Sequence, residues 1–257
     1  MNKRFLLTIV ILLLVTNSMA QAQENQLGVT LDLTYSSKWL TKGMYGYGQQ
    51  GALFKTIDLD FYGTGLGLEV THRNSTSSGY VDMQRFDYRP YYKSTLFEGE
   101  TYATTYNLSV GYEHYTGLAR DVANTTFEWI FAFFWPNIMP DGLIPNYIAH
   151  YEYPAGSGYT HHDVTGWTHR FGLGYNLNVT ELPQALYISG EIAYTDGLGG
   201  KTKDHDWSYA AFSLSTKFNL TDNLTFTPGV YYQITMDKSI NPDKDLTYCI
   251  LSMKYKF

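Results

Sequence analysis

A two-residue hydrophobic period recurs along this chain and constrains it more than any other feature. "LGVTLDLTYSSKW" puts Leu27, Val29, Leu31, Leu33, Tyr35 and Trp39 on one face and Gly28, Thr30, Asp32, Thr34, Ser36 and Lys38 on the other. "GWTHRFGLGYNLN" opposes Trp167, Phe171, Leu173, Tyr175 and Leu177 to Thr168, Arg170, Gly172, Gly174, Asn176 and Asn178. Alternation of this kind is the mark of a strand with one apolar and one polar face. It predicts twelve strands, near 27–40, 52–62, 65–74, 85–97, 101–114, 126–135, 143–153, 166–178, 185–195, 206–220, 223–235 and 246–257. Pro90, Pro145 and Pro228 fall inside three of them, and proline cannot donate to a ladder. The stretch "FFWPNIMPDGLIP" is the weakest: read as one long turn, it would leave ten strands.

Connections alternate in length. Those at 63–64, 98–100, 136–142, 179–184 and 221–222 are mostly tight. Those at 41–51, 75–84, 115–125, 154–165, 196–205 and 236–245 are longer and rich in Gly, Ser, Asp and Thr. Short turns at one end and long loops at the other are the pattern of transmembrane barrels. A secreted sandwich also alternates, but 24 tyrosines and 17% aromatic residues exceed what it needs. Trp39, Tyr62, Tyr102, Tyr112, Trp135, Tyr153, Trp167, Tyr194 and Trp207 cluster at strand ends, where aromatic girdles meet a membrane interface. The fold expected is all-β: a transmembrane antiparallel up-and-down β-barrel. Twelve strands about 4.8 Å apart and tilted by about 40° close a cylinder about 24 Å across, narrower than a 16-stranded porin.

The start of the chain fits export. "MNKR" is basic, residues 5–15 are apolar, and small residues surround Ala20 and Ala22. This is the layout of a secretory signal peptide over 1–22, leaving a single barrel domain over 23–257. The apolar run is too short to span a bilayer as a helix. Cys249 is alone, so no internal disulfide is available. A net charge of −6 with scattered charges gives no nucleic-acid surface. The expected location is a bacterial outer membrane, with outer-membrane lipid as partner.

The segment "LTYSSKWLTKGMYGYGQQGALFKTIDLDFYGTGLGLEV", residues 33–70, resembles the N-terminal region of the TorF-type porins, a group of bacterial outer-membrane proteins. Trp39, Lys42-Gly43 and "IDLDFYGTG" stand at the positions of that family's aromatic, basic-Gly pair and Gly turn, with Lys42 where the family usually has Arg. Residues 133–158 resemble a block in related proteins. The resemblance in pattern extends over the mature chain, and residue matches are confined to these blocks. It implies a barrel and a channel, but no substrate and no catalytic residue.

Charges on the polar face concentrate on strands 2–5: Asp58, Asp60, Glu69, Arg73, Arg85, Asp87, Arg89, Lys93 and Glu113, with Arg170 and Glu191 further on. A Gly-Thr turn at 63–64 sets Asp58 opposite Glu69. A loop centred on residue 79 sets Glu69 opposite Arg89, and a turn centred on Gly99 sets Arg85 opposite Glu113. Two readings stand. One is a constriction whose transverse field selects small polar solutes or ions. The other is a salt-bridge network that braces the wall and partly plugs it.

No enzyme chemistry is expected. No His-x-Ser and no G-x-S-x-G occurs, although a few outer-membrane barrels do act on lipid. His161, His162 and Asp163 are possible metal ligands, but neighbouring strand residues point to opposite faces, and neither a metal nor another cofactor is expected. A non-conducting structural or adhesin-like barrel is the alternative to a passive diffusion channel.

The chain ends "LTYCILSMKYKF". Phe257, Tyr255 and Met253 share the lipid face of a last strand that must pair with the first to remove the open edge. By resemblance to other outer-membrane barrels, an aromatic end implies a signal read by the insertion machinery.

Overall fold

The computed structural model describes residues 26–117, 125–140, 142–155, 165–180, 182–198, 206–238 and 245–257. The signal peptide expected over 1–22 lies outside the described residues, as do His161, His162 and Asp163. Twelve long strands follow one another: β1 (Gly28–Ser36), β2 (Ala52–Asp60), β3 (Leu66–Ser75), β4 (Arg85–Leu96), β5 (Thr104–Tyr115), β6 (Thr126–Phe134), β7 (Leu143–Pro154), β8 (Gly166–Leu177), β9 (Leu186–Asp196), β10 (Asp206–Thr216), β11 (Leu224–Thr235) and β12 (Leu246–Lys256). Each pairs antiparallel with its chain neighbours, and β12 pairs with β1 through Leu33↔Met253 and Leu31↔Tyr255. The ladder is therefore closed, and every strand has two partners. No helix among the described residues is long and apolar enough to cross a membrane.

Closure sorts the side chains. Leu31, Leu33, Ile57, Phe171, Phe212, Leu214, Val230 and Met253 are exposed on the outer wall, as hydrocarbon contact requires. Thr71, Asp87, Ser109, Glu113, Glu128 and Thr168 are buried on the inner wall.

The stretch 133–145 forms the end of β6, a turn and the start of β7, which excludes the ten-strand alternative. Pro145 is tolerated because it stands where the β6–β7 ladder begins; its carbonyl still accepts the Trp135 N–H at 3.0 Å. Pro90 stands opposite Leu68, and the β4–β5 ladder lapses there between Tyr88↔Tyr112 and Tyr91↔Ser109 without losing register. Pro228 stands opposite Leu251.

Three expectations are corrected. The turn after β4 is not a three-residue "EGE". It runs through Phe97, which has a positive φ, and continues until the Ala103 N–H meets the Glu100 carbonyl at 3.1 Å. Its centre lies one residue later than Gly99, so every partner moves by two: Arg85 faces Tyr115, and Asp87 faces Glu113. Trp39 is no girdle residue; it is buried with Tyr47 and Ala52, packed by Phe54, Tyr80 and Met83. The connection 41–51 is not an outer loop, as described below. β10 keeps its expected alternation from Tyr209 onward and adds an irregularity at its start. Between the pairs Ala193↔Tyr209 and Tyr194↔Trp207 the register shifts by one, leaving Ser208 as a bulge whose hydroxyl donates to the Ala193 carbonyl at 3.1 Å. A bulge re-aims a neighbouring side chain. Trp207 stays exposed beside Tyr194, while Tyr209, two positions on, is buried inside.

The seam extends one bond past β12, where the Phe257 N–H donates to the Val29 carbonyl at 3.0 Å and its ring stands edge-on to Tyr255. Deleting Phe257 removes that bond and an aromatic anchor. The expected outcome is a several-fold smaller fraction of heat-modifiable, folded protein on gels after membrane insertion, with unchanged behaviour of the molecules that do fold.

Candidate functional site

Between β1 and β2 the chain turns into the barrel. Ser37 N–H donates to the Cys249 carbonyl at 2.9 Å, and Trp39 N–H to the Gln50 carbonyl at 3.1 Å, which closes the base of a hairpin. Leu40 pairs with Tyr45 and Thr41 with Met44. Lys42 and Gly43 form its tip, with φ of 50° and 80°. Two successive positive φ values are the signature of the two-residue turn whose twist matches a hairpin. Gly43 is required twice: a Cβ there would also strike the Tyr209 ring. A Cβ on Gly46 would strike the Trp39 indole, so Trp39 can fold over the hairpin only because residue 46 is glycine.

The tip crosses the lumen. Lys42 Nζ lies 2.8 Å from Glu128 on β6 and 2.6 Å from Glu152 on β7, on the wall opposite the strands that carry the hairpin. The Gly43 carbonyl accepts the Gln233 amide of β11 at 2.9 Å. At the near wall the Tyr47 hydroxyl donates to the Met83 carbonyl at 3.0 Å. Burial pushes the Tyr47 hydroxyl up to about 12, so it remains a donor. Burial also works against the Lys42 charge, but Glu128, Glu152 and Glu113 outweigh it and hold the ammonium well above its ordinary value.

Around this crossbar lie two groups of ion pairs, which adjoin where the Glu113 carboxylate approaches those of Glu128 and Glu152. Arg85 reaches Glu113 at 2.6 Å and Asp87 at 2.7 Å. Arg73 pairs with the same Asp87. Arg89 bridges Glu69 and Glu128, each at 3.4 Å. His150 Nδ1 stands 2.9 Å from Glu128. The guanidinium carbons of Arg85 and Arg73 lie 5.1 and 5.6 Å from the Trp39 ring, within cation–π range. Carboxylate oxygens of Glu113, Glu128 and Glu152 converge within 4.8 Å of one another, a spacing that could hold a metal ion. The Lys42 ammonium already stands on two of the three.

Of the residues singled out from sequence, Glu69, Arg73, Arg85, Asp87, Arg89 and Glu113 are brought together here. Arg85 meets Glu113 diagonally rather than across a paired position. Asp58 stands opposite Glu69, and Glu69 opposite Arg89. Asp58 accepts the Tyr91 hydroxyl at 2.8 Å, and Asp60 pairs with Lys93 at 2.7 Å, both toward the short-turn end. Arg170 and Glu191 form a separate pair at 2.6 Å on the β8–β9 wall, and Glu191 also accepts the Tyr209 hydroxyl at 3.0 Å. Phe257, Tyr255 and Met253 lie at the seam, outside the lumen. His169 Nδ1 is 2.8 Å from the Tyr147 hydroxyl.

Sequence reasoning missed Glu128, His150, Glu152 and Gln233, and gave Lys42 no role beyond its place in the resemblance. A signal for three of them existed. In "TFEWIFAFF" and "IAHYEYP", Glu128, His150 and Glu152 are the ionisable residues of otherwise apolar and aromatic runs, on the parity of the inner wall.

No family model and no curated protein matches the chain. Solved structures do. The chain is similar to a KdgM porin in complex with disordered oligogalacturonate, with a TM-score of 0.54, 13% identity, and 89% of this chain and 99% of that one covered. It is similar to the NanC porin at a TM-score of 0.54 and 10% identity, over 88% of this chain and 100% of that one. It is also similar to an outer membrane channel from Pseudomonas putida F1, at a TM-score of 0.50 and 11% identity, over 93% and 97%. At these identities the likeness is one of fold.

Removing one partner of a buried ion pair leaves the other uncompensated, at a cost of about 3–5 kcal/mol. Lys42→Met is expected to lose stability on that scale in denaturant titrations of the folded protein in micelles. Glu128→Gln should cost more than Glu152→Gln, because Glu128 also serves Arg89 and His150. Equal losses, or the reverse order, would show that Glu128 is not the hub of its group.

Proposed function

We propose that this protein is an outer-membrane channel through which small polar solutes or ions diffuse, and that the hairpin is its resident constriction. The observation that carries this reading is a recess of mixed polar and apolar lining on the lumen side, beside the crossbar. A cavity of about 340 Å³ runs along β12, β1, β2 and β3, past Trp39 and Leu40 to Asp32, Thr56, Glu69, Thr71 and Arg73. Hydroxyl and charged groups share its lining with Trp39, Leu40, Phe54 and Ile250, so a hydrated solute would find polar contacts along one side of it. The folds it resembles are those of porins, and residues 33–70 resemble the TorF-type porins. In this reading residues 1–22 direct export, the long loops face outward, and Phe257 with Tyr255 and Met253 forms the strand presented to the insertion machinery.

In a narrow lumen of low dielectric, a fixed charge acts strongly on a passing ion. Arg73 and Glu69 border the recess from opposite signs, while Lys42, Arg85 and Glu128 hold the hairpin that sets its width. Permeation then involves no bond chemistry.

A non-conducting structural barrel is favoured by one feature, the wall-to-wall crossing of the hairpin. Planar-bilayer recording separates the two. The native protein is expected to give small, steady channels. Replacing residues 38–49 with a short Gly-Ser link should raise conductance several-fold, and Thr56→Trp should reduce it at least two-fold. Sealed bilayers from both the native protein and the hairpin-less variant would establish the structural reading.

A further inference from the structure

Among the described residues, the outer wall carries a charged group that a hydrocarbon face does not explain. Lys55 lies between Leu53 and Ile57 on the outward side of β2 and is exposed. It stands three residues from the long-loop end, about 8 Å down the wall for a tilted strand. Among the described residues no carboxylate lies within ion-pair distance of it. Its contacts are the Asn74 amide oxygen at 2.9 Å and His72 Nδ1 at 3.4 Å. His72 Nε2 faces the Gln84 amide oxygen at 3.1 Å, which assigns the proton to Nε2 and leaves Nδ1 to accept from the ammonium. The imidazole stacks on Phe86 at 4.6 Å, which fixes its plane. Lysine, histidine and asparagine are thus held on the lipid side as an organised cation site without an anion.

Two recesses meet at this point. Toward the long loops, a polar hollow of about 330 Å³ is bordered by Asn74, Ser75, Ser77, Ser78 and Gln84. Toward the seam, an apolar groove of about 470 Å³ is bordered by Leu31, Leu33, Ile57, Val70, Phe86 and Met253. Lys55 and His72 border both. A hydroxyl- and amide-rich hollow, a lone ammonium at its floor and an apolar groove below match, in that order, a sugar head group, its phosphate and an acyl chain.

We propose that this face of β1–β3 binds a phosphorylated glycolipid of the outer leaflet, with its phosphate on Lys55 and an acyl chain in the groove. The hollow is larger than a bare phosphate needs and is lined by groups that recognise sugar hydroxyls, which favours a glycolipid over a glycerophospholipid. The phosphate supplies the anion that the ammonium lacks, at the depth where a lipid head group meets its chains. The assignment to the outer leaflet rests on the proposed orientation, with long loops outside; the binding itself does not.

Native mass spectrometry of the full-length protein in detergent tests it, with three probes: bisphosphorylated lipid A, the same lipid dephosphorylated, and phosphatidylglycerol. Native protein is expected to retain bisphosphorylated lipid A at least ten-fold more than either other lipid. Lys55→Leu should abolish that preference, and Lys55→Arg should keep it. Equal retention of the phosphorylated and dephosphorylated lipid by native protein would overturn the proposal, a comparison that needs no variant. Retention of phosphatidylglycerol equal to that of lipid A, or full retention by folded Lys55→Leu, would also overturn it. Channel conductance is a separate readout: its absence would refute the channel reading and leave this one standing.

Discussion

Hydrocarbon offers no partner to a backbone N–H or C=O, so a strand structure in a membrane has to satisfy all of its own peptide groups. Everything else here depends on the pairing of β12 with β1. That one seam turns a twisted sheet with two open edges into a cylinder with none. It also creates an inside. Once the wall is closed, alternate residues of every strand are committed to lipid or to lumen, and the lumen has to be filled with water, with side chains or with more chain. This protein uses side chains and more chain, the ion pairs of the inner wall and the hairpin between β1 and β2.

The filling is ionic rather than apolar. A soluble domain of this length would bury a cluster of leucine and valine; here the buried apolar cluster among the described residues is a patch around Trp39, Tyr47 and Ala52. The lumen instead holds Lys42, Arg73, Arg85 and Arg89 against Glu69, Asp87, Glu113, Glu128 and Glu152. Buried ion pairs add little net stability compared with apolar packing, but they penalise misplacement heavily. A hairpin that must stand at one height and one angle is well served by that asymmetry. Tyr209 belongs to the same arrangement: it keeps the inner parity of Ala211 and Ser213, seats Gly43 and holds Glu191, while the bulge at Ser208 turns Trp207 outward.

The barrel was legible in the sequence because its defining signal is local. Alternation, turn residues and loop lengths each occupy a few adjacent positions, and twelve repetitions reinforce one another. Registers that depend on a two-residue turn were also legible, as Asp58 and Glu69 show. The Arg85 register was not, because the turn at Phe97–Ala103 is longer than its glycine suggests and a shift of one in its centre moves each partner by two. The crossbar was not legible for a different reason. "LTKGMYGYGQQG" has the composition of a solvated loop, and its direction is decided by Glu128, Glu152 and Gln233, up to 190 residues away. The Lys42-Gly43 pair did stand out by resemblance, but its role as a hairpin tip follows only from two positive φ values.

The crossbar is covalently part of the wall that it spans. Its two ends leave adjacent positions of a paired ladder, Ser36 opposite Ala52, so the ammonium at its tip cannot diffuse away from the carboxylates it neutralises. A short tether of this kind keeps a ligand at an effective concentration in about the millimolar range or above. Lys42 thus acts as an immobilised counter-ion. Any dissolved cation that approaches Glu128 and Glu152 competes with it on unequal terms, and the lumen's response to the ions around it is set as much by the length of one loop as by the charges on the wall.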